Sequence, residues 1–109
     1  MNSIDPEILP LILDNLKSSV VFVDNDHVIR YMNAAARKKY TKYGDIIGKS
    51  IFHCHNEDSC RMIQDYYEKM KSGFDEFILS SRETYRAYMR SVRSADGELL
   101  GYYEISYSF

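Results

Sequence analysis

Residues 20–40 read VVFVDNDHVIRYMNAAARKKY. Two runs rich in β-branched and aromatic residues, 19–24 and 27–32, flank the turn pair Asn25-Asp26. That spacing predicts a tight β-hairpin. Asn33 follows, a residue whose side chain accepts from the first free N–H groups of a helix. Behind it Ala34, Ala35 and Ala36 supply the residue type that loses least on becoming helical. The stretch therefore predicts strand, turn, strand and capped helix.

Upstream, Asp5-Pro6-Glu7 has the chemistry of a helix start, with a capping carboxylate, a proline suited to the first position and an acid at the positive end. The helix is expected to run to Leu16 or Lys17. Its apolar residues, Ile4, Ile8, Leu9, Leu11, Ile12, Leu13 and Leu16, form more than a single core-facing stripe. Such a helix needs a second surface, and a partner subunit covering Ile8, Leu9, Leu11, Ile12 and Leu16 is the simplest one.

Downstream, Tyr43-Gly44-Asp45 breaks the helix, and Asp45 is placed to cap a short turn before Gly48. From Asp58 the apolar positions Met62, Ile63, Tyr66, Tyr67 and Met70 recur at helical spacing. Asp58 or Ser59 is the expected N-cap, and Ser72-Gly73 the stop. Strands are expected over 74–81, 84–93 and 99–107, the last two joined through Ser94-Ala95-Asp96-Gly97. Strands flanking a helical middle indicate an α+β domain, an antiparallel sheet with helices on one face.

The bounds agree. A chain of 109 residues with 45% hydrophobic content builds one core. A net charge of −2 with interleaved signs lacks the basic face a nucleic-acid binder needs. No wholly apolar run, 11–13 and 20–23 included, comes near membrane-spanning length, and the N-terminus lacks the basic opening of a signal peptide. Two cysteines make no secreted disulfide framework, so a reducing cytoplasm is the expected location. The chain has 10 Tyr, 5 Phe and no Trp; Tyr85, Tyr88, Tyr102, Tyr103 and Tyr107 cluster late, as strand propensity accounts for without a phenol-lined cavity.

Three motifs in this order resemble the PAS (Per-Arnt-Sim) sensory domain. Asp24, Ile29, Asn33 and Ala35 match its D-x-x-x-x-I-x-x-x-N-x-A run; Gly48-Lys49 matches the G-K/R before the connecting loop; Asp96-Gly97 and Gly101 match the closing D-G-x-x-x-G. A narrower prokaryotic subgroup carries G-[KR]-x-[IV]-x-x-C-H-x-x-x-S, matched from Gly48 through Cys54-His55 to Ser59. The resemblance implies a single domain over 1–109, with an N-terminal dimerisation helix in 1–18 and a core over 19–109. It implies a five-stranded antiparallel sheet of order 2-1-5-4-3, a ligand space between sheet and long helix in some members, a homodimer, and an effector such as a kinase or transcription regulator in the same or another chain. No nucleic-acid or membrane partner is implied.

The segment GKSIFHCHNEDSC (48–60) concentrates His53, Cys54, His55 and Cys60. Haem is one reading, with a single His, Cys or Met axial ligand, although PAS haem sensors usually carry the ligand His on the long helix, where this chain reads Cys60-Arg61-Met62-Ile63. A non-haem metal on His55, Cys54 and Cys60 is a second, weakened because neighbours in an extended segment point to opposite sides. A flavin site lacks its expected Asn/Gln pair. Sequence neighbours Cys54 and His55 make a poor catalytic dyad, and no enzyme chemistry is expected. Two thiols near a helix start make a redox variant of a plain structural loop. Expected cavity walls are Val21, Val23, Ile29, Ile51, Met62, Ile63, Tyr66, Phe77, Ala87, Met89 and Tyr103, with His53, His55 and Cys60 as candidate contacts to a ligand. The ligand itself is unnamed. The competing reading is a filled, ligand-free dimerisation module.

Overall fold

The computed structural model describes residues 3–109. Helix α1 (Ile8–Asp14) precedes strands β1 (Ser19–Asp24) and β2 (Ile29–Met32). Helix α2 (Ala34–Lys39) and two short 3-10 turns (Thr41–Tyr43 and Ile51–Cys54) lead to the long helix α3 (Glu57–Lys71). Strands β3 (Glu76–Arg82), β4 (Tyr85–Arg93) and β5 (Leu99–Ser108) complete one antiparallel sheet of order β2-β1-β5-β4-β3. The expected architecture and strand order are those observed.

The local differences have local causes. The first hairpin loop is longer than Asn25-Asp26, because His27 joins it in the left-handed region at φ 63°. The His27 N–H donates to the Asp24 carbonyl, and Asp24 Oδ1 accepts from the N–H groups of Asp26 and Val28. A turn plus one left-handed residue is a known three-residue hairpin solution, and His tolerates the slot better than most non-glycine residues. α1 is shorter than expected: Asp5 Oδ1 takes the Glu7 N–H in a preceding turn, and the regular helix begins only at Ile8. α3 is capped at Asn56, two residues before the first of its expected caps, because the Asn56 side chain accepts from the Ser59 N–H.

Asn33 does more than cap α2. It is fully buried, and Oδ1 accepts from the Val20 and Ala36 N–H groups while Nδ2 donates to the Leu13 and Ser18 carbonyls. One side chain thus joins the end of α1, the start of β1 and the start of α2. Asp14 adds to the joint, accepting from the Tyr31 hydroxyl and the Ala34 N–H.

The core lies between the inner sheet face and α3. Val21, Val23, Ile29, Met32, Ile51, Ile63, Met70, Met89 and Tyr102 are each at most 3% exposed. Each large side chain removed from water this way contributes roughly 1.5–3 kcal/mol. By contrast, no residue of α1 is buried, and Ile8, Leu9, Leu11, Ile12 and Leu16 are 40–54% exposed.

Candidate functional site

The inner face of β5 presents Tyr102, Glu104 and Ser106 in succession, opposite Val23, Val21 and Ser19 of β1 and Ser91, Met89 and Ala87 of β4. Two different polar environments result. At Tyr102 the space is closed. Its hydroxyl lies 2.9 Å from His27 Nδ1, and the His27 ring packs against Phe52 and, edge-on, against Tyr67 at 4.6 Å. The Tyr67 hydroxyl donates to Asn25 Oδ1, and Asn25 Nδ2 donates to the Leu99 carbonyl. Burial pushes the His27 pKa down and that of Tyr102 up, so both stay neutral.

At Glu104 the space is open. A cavity of about 170 Å³ lies between the sheet, the end of α2 and the first turns of α3. Ala87 and Ser106 leave room on the sheet side, while Met62 and Ile63 wall it from α3. Lys39 and Tyr85 belong to its lining, and an outer groove shares them and extends along Lys17 and Ser108. Glu104 is 7% exposed, and no protein donor reaches its Oε1. His55 Nε2 is equally without a hydrogen-bond partner and sits 3.9 Å from Glu104 Oε2. That distance is too long for a hydrogen bond.

Nor are the two an ion pair near neutrality. Burial raises the Glu104 pKa to about 7, with the Lys39 charge opposing, and burial with help from Lys39 lowers that of His55. Each shift favours the neutral form, which is what burial without a strong partner does. The result is a pocket of mixed lining with two unmatched polar atoms and a lysine in its wall.

The expected site residues divide. His55, Met62, Ile63, Ala87 and Val21 line the cavity. Val23, Ile29, Ile51 and Met89 lie in the solid core beside it, and Tyr66 stacks on Phe77 with ring centroids 4.4 Å apart. Tyr103 lies on the outer sheet face, in register with Phe22 and Arg90, and does not line the cavity. His53 is exposed on its 3-10 turn. The Cys60 thiol donates weakly to the Phe52 and His55 carbonyls, and the Cys54 thiol to the Ile51 carbonyl. Sequence reasoning missed Glu104, Lys39, Tyr40 and Tyr85.

The metal set proposed for His55, Cys54 and Cys60 does not assemble. Among the described residues no three His, Cys, Asp or Glu side chains converge to hold an ion. Cys54 is not an activated thiol either, since burial and the nearby Glu104 raise its pKa. The cavity volume of about 170 Å³ is on the scale of benzene and smaller than a porphyrin, and no histidine stands on α3.

Comparison with known proteins follows this geometry. A crystallised C-terminal domain from Streptococcus mutans superposes with a TM-score of 0.81 at 19% identity, covering 96% of this chain and 85% of that one. The PAS domain of a Colwellia psychrerythraea protein gives 0.72 at 11% identity, with 94% and 95% covered. A sensory box sensor histidine kinase from Vibrio cholerae gives 0.65 at 20% identity, with 94% and 90% covered. No curated protein sequence matches the chain. No helix among the described residues is long and apolar enough to cross a membrane. The family model described as PAS domain matches residues 9–109, and with the sheet order, the connecting segment and the inner-face pocket in agreement, the chain belongs to the PAS domain family.

Proposed function

We propose that this chain is a sensory module that binds a small ligand between its sheet and α3 and signals through α1, without catalysing a reaction. The observation that carries the reading is Glu104 Oε1, a buried polar atom facing a cavity with no protein partner. An unmatched buried acceptor costs roughly 1–3 kcal/mol, so a domain meant to stay filled would do better with an apolar residue there. A ligand that binds one arrangement better than the other shifts the balance between them. The route outward runs along β1, which carries Val21 in the cavity wall and leads to the Asn33 and Asp14 joint at the base of α1.

The exposed apolar face of α1 supports a homodimer, with Ile8, Leu9, Leu11, Ile12 and Leu16 against a second copy. An effector such as a kinase or a transcription regulator, in the same chain or another, would read the change, and the cytoplasm is the proposed setting. Two variants test the two halves. Ala87→Leu fills the cavity and is expected to abolish ligand-induced shifts in a ¹H–¹⁵N spectrum while keeping the fold. Ile12→Asp is expected to convert a dimer to a monomer in sedimentation velocity. Unchanged ligand responses in the first variant would sink the cavity reading. A monomeric wild type at high micromolar concentration would sink the dimer.

A further inference from the structure

The cavity has two poles of different chemistry. At one, Glu104 Oε1 and His55 Nε2 are unpartnered atoms that can each accept a hydrogen bond. At the other, Lys39 Nζ donates to the Tyr85 hydroxyl at 2.8 Å and reaches Ser106 Oγ at 3.5 Å, leaving at least one N–H free. Lys39 makes no ion pair within 4 Å among the described residues, yet its charge is felt at both Glu104 and His55. The hydroxyls of Ser19, Ser59, Ser80 and Ser106 line the walls around the poles.

Resting on the ligand-binding reading above, we propose that the cavity takes a small zwitterionic aminocarboxylate, its ammonium on Glu104 Oε1 and His55 Nε2 and its carboxylate on Lys39. The geometry selects this class by elimination. A lone amine meets Glu104 but is repelled by Lys39. A lone carboxylate meets Lys39 but brings no donor for Glu104 Oε1 or His55 Nε2. An alcohol has one donor for two waiting acceptors. An ammonium has three donors, enough for both acceptors and a wall hydroxyl. On binding it, Glu104 gives up its proton to solvent and meets the cation as a carboxylate, a charge-assisted contact stronger than a neutral one. The volume of about 170 Å³ admits a body on the scale of benzene, or roughly six to eight non-hydrogen atoms.

The test titrates the whole chain with γ-aminobutyrate and with valine, by calorimetry and by ¹H–¹⁵N spectra. Butylamine, butyrate and butyramide serve as one-ended or uncharged counterparts, and phenol as a neutral ring of cavity size. The expected result is saturable binding of at least one aminocarboxylate, with shifts at Ser59, Ala87 and Glu104. Each counterpart should bind at least tenfold more weakly. Glu104→Gln and Lys39→Met should each weaken binding tenfold or more while their spectra stay dispersed. Butylamine, butyrate or butyramide binding as tightly would overturn the proposal, as would silence from both aminocarboxylates. If phenol alone shifts Ala87 and Met62, the zwitterion assignment falls and the cavity reading survives. If none of these probes moves the cavity residues, both fall.

Discussion

Tyr102 and Glu104 stand two residues apart on the same face of β5, and both are buried. Their surroundings are opposite. The Tyr102 hydroxyl is met by His27, held in place by Phe52 and Tyr67 and by a left-handed backbone at its own position. Glu104 Oε1 meets nothing from the protein. One end of the sheet–helix interface has its polar atoms paired, and the other has unpartnered polar atoms around a space. The first end is held by paired polar atoms and packed rings, and the second is where the proposed ligand would act.

The largest effect is expected from breaking the closed end at its backbone. A Cβ on Gly101 would lie 2.2 Å from the Val23 carbonyl oxygen, at a φ of 147°. Gly101→Ala therefore has backbone against backbone with no side chain free to yield. We expect a loss above about 4 kcal/mol by urea denaturation, or no folded protein at all. A loss under about 1 kcal/mol would show that this end is not rigid.

The next effect belongs to the open end and has a pH signature. The Glu104 pKa is raised from 4.5 to about 7 in the folded chain, so the folded state holds the proton more tightly than the unfolded one. Stability from this group is fully present below pH 4.5 and is lost as pH rises through about 7. At about 1.4 kcal/mol per pKa unit, the loss is about 3 kcal/mol. Glu104→Gln should remove that loss. His55, with its lowered pKa, acts in the reverse direction, losing stability as pH falls below 6.5, but it does so in both proteins. The other groups around Glu104, Lys39, Tyr40, Tyr85 and Cys54, are also common to both. The stability difference between wild type and variant, measured from pH 4.5 to 8, should therefore change steadily in the variant's favour. A flat difference would mean that Glu104 finds a partner in solution.

The smallest effect sharpens the contrast. Tyr102→Phe deletes one hydroxyl and leaves His27 Nδ1 unpaired in a partly buried site. The expected cost is about 1–2 kcal/mol in denaturant midpoint. No cost would place Tyr102 in the same class as Glu104, a polar atom not needed by the fold.

Much of the fold was legible because it is written in local chemistry. Asn33 as a cap, Gly73 after the long helix, Asp96-Gly97 in the last hairpin and the helical spacing of Ile63 and Met70 each act within a few residues. The site was less legible, and Tyr103 shows why. The alternation 103, 105, 107 carries Tyr, Ile and Tyr, whereas 102, 104, 106 carries Tyr, Glu and Ser. Apolarity alone favours the first set as the inner one. The register breaks, however, between Val92 and Arg93, where Arg93 pairs with Leu99 but Val92 pairs with Gly101. Without that extra residue Met89 would face Tyr103; with it, Met89 faces Glu104. A one-residue slip exchanges the two faces of a strand, and a bulge is such a slip. Lys39 was hidden for a different reason, since only the packing of α2 beside β5 carries it to the lining of the cavity.

The sequence by itself determined the elements, their order, the family and the over-apolar N-terminal helix, because caps, turns and periodicity are short-range. Only the tertiary structure decided which face of β5 looks inward, which histidine is hydrogen-bonded and which is left without a partner, and that a carboxylate, an imidazole and a lysine share one small space. Those facts depend on a bulge and on contacts between residues 16 to 65 positions apart, such as Lys39, His55 and Glu104. No local pattern encodes a distance of that kind; only the packed chain brings it about.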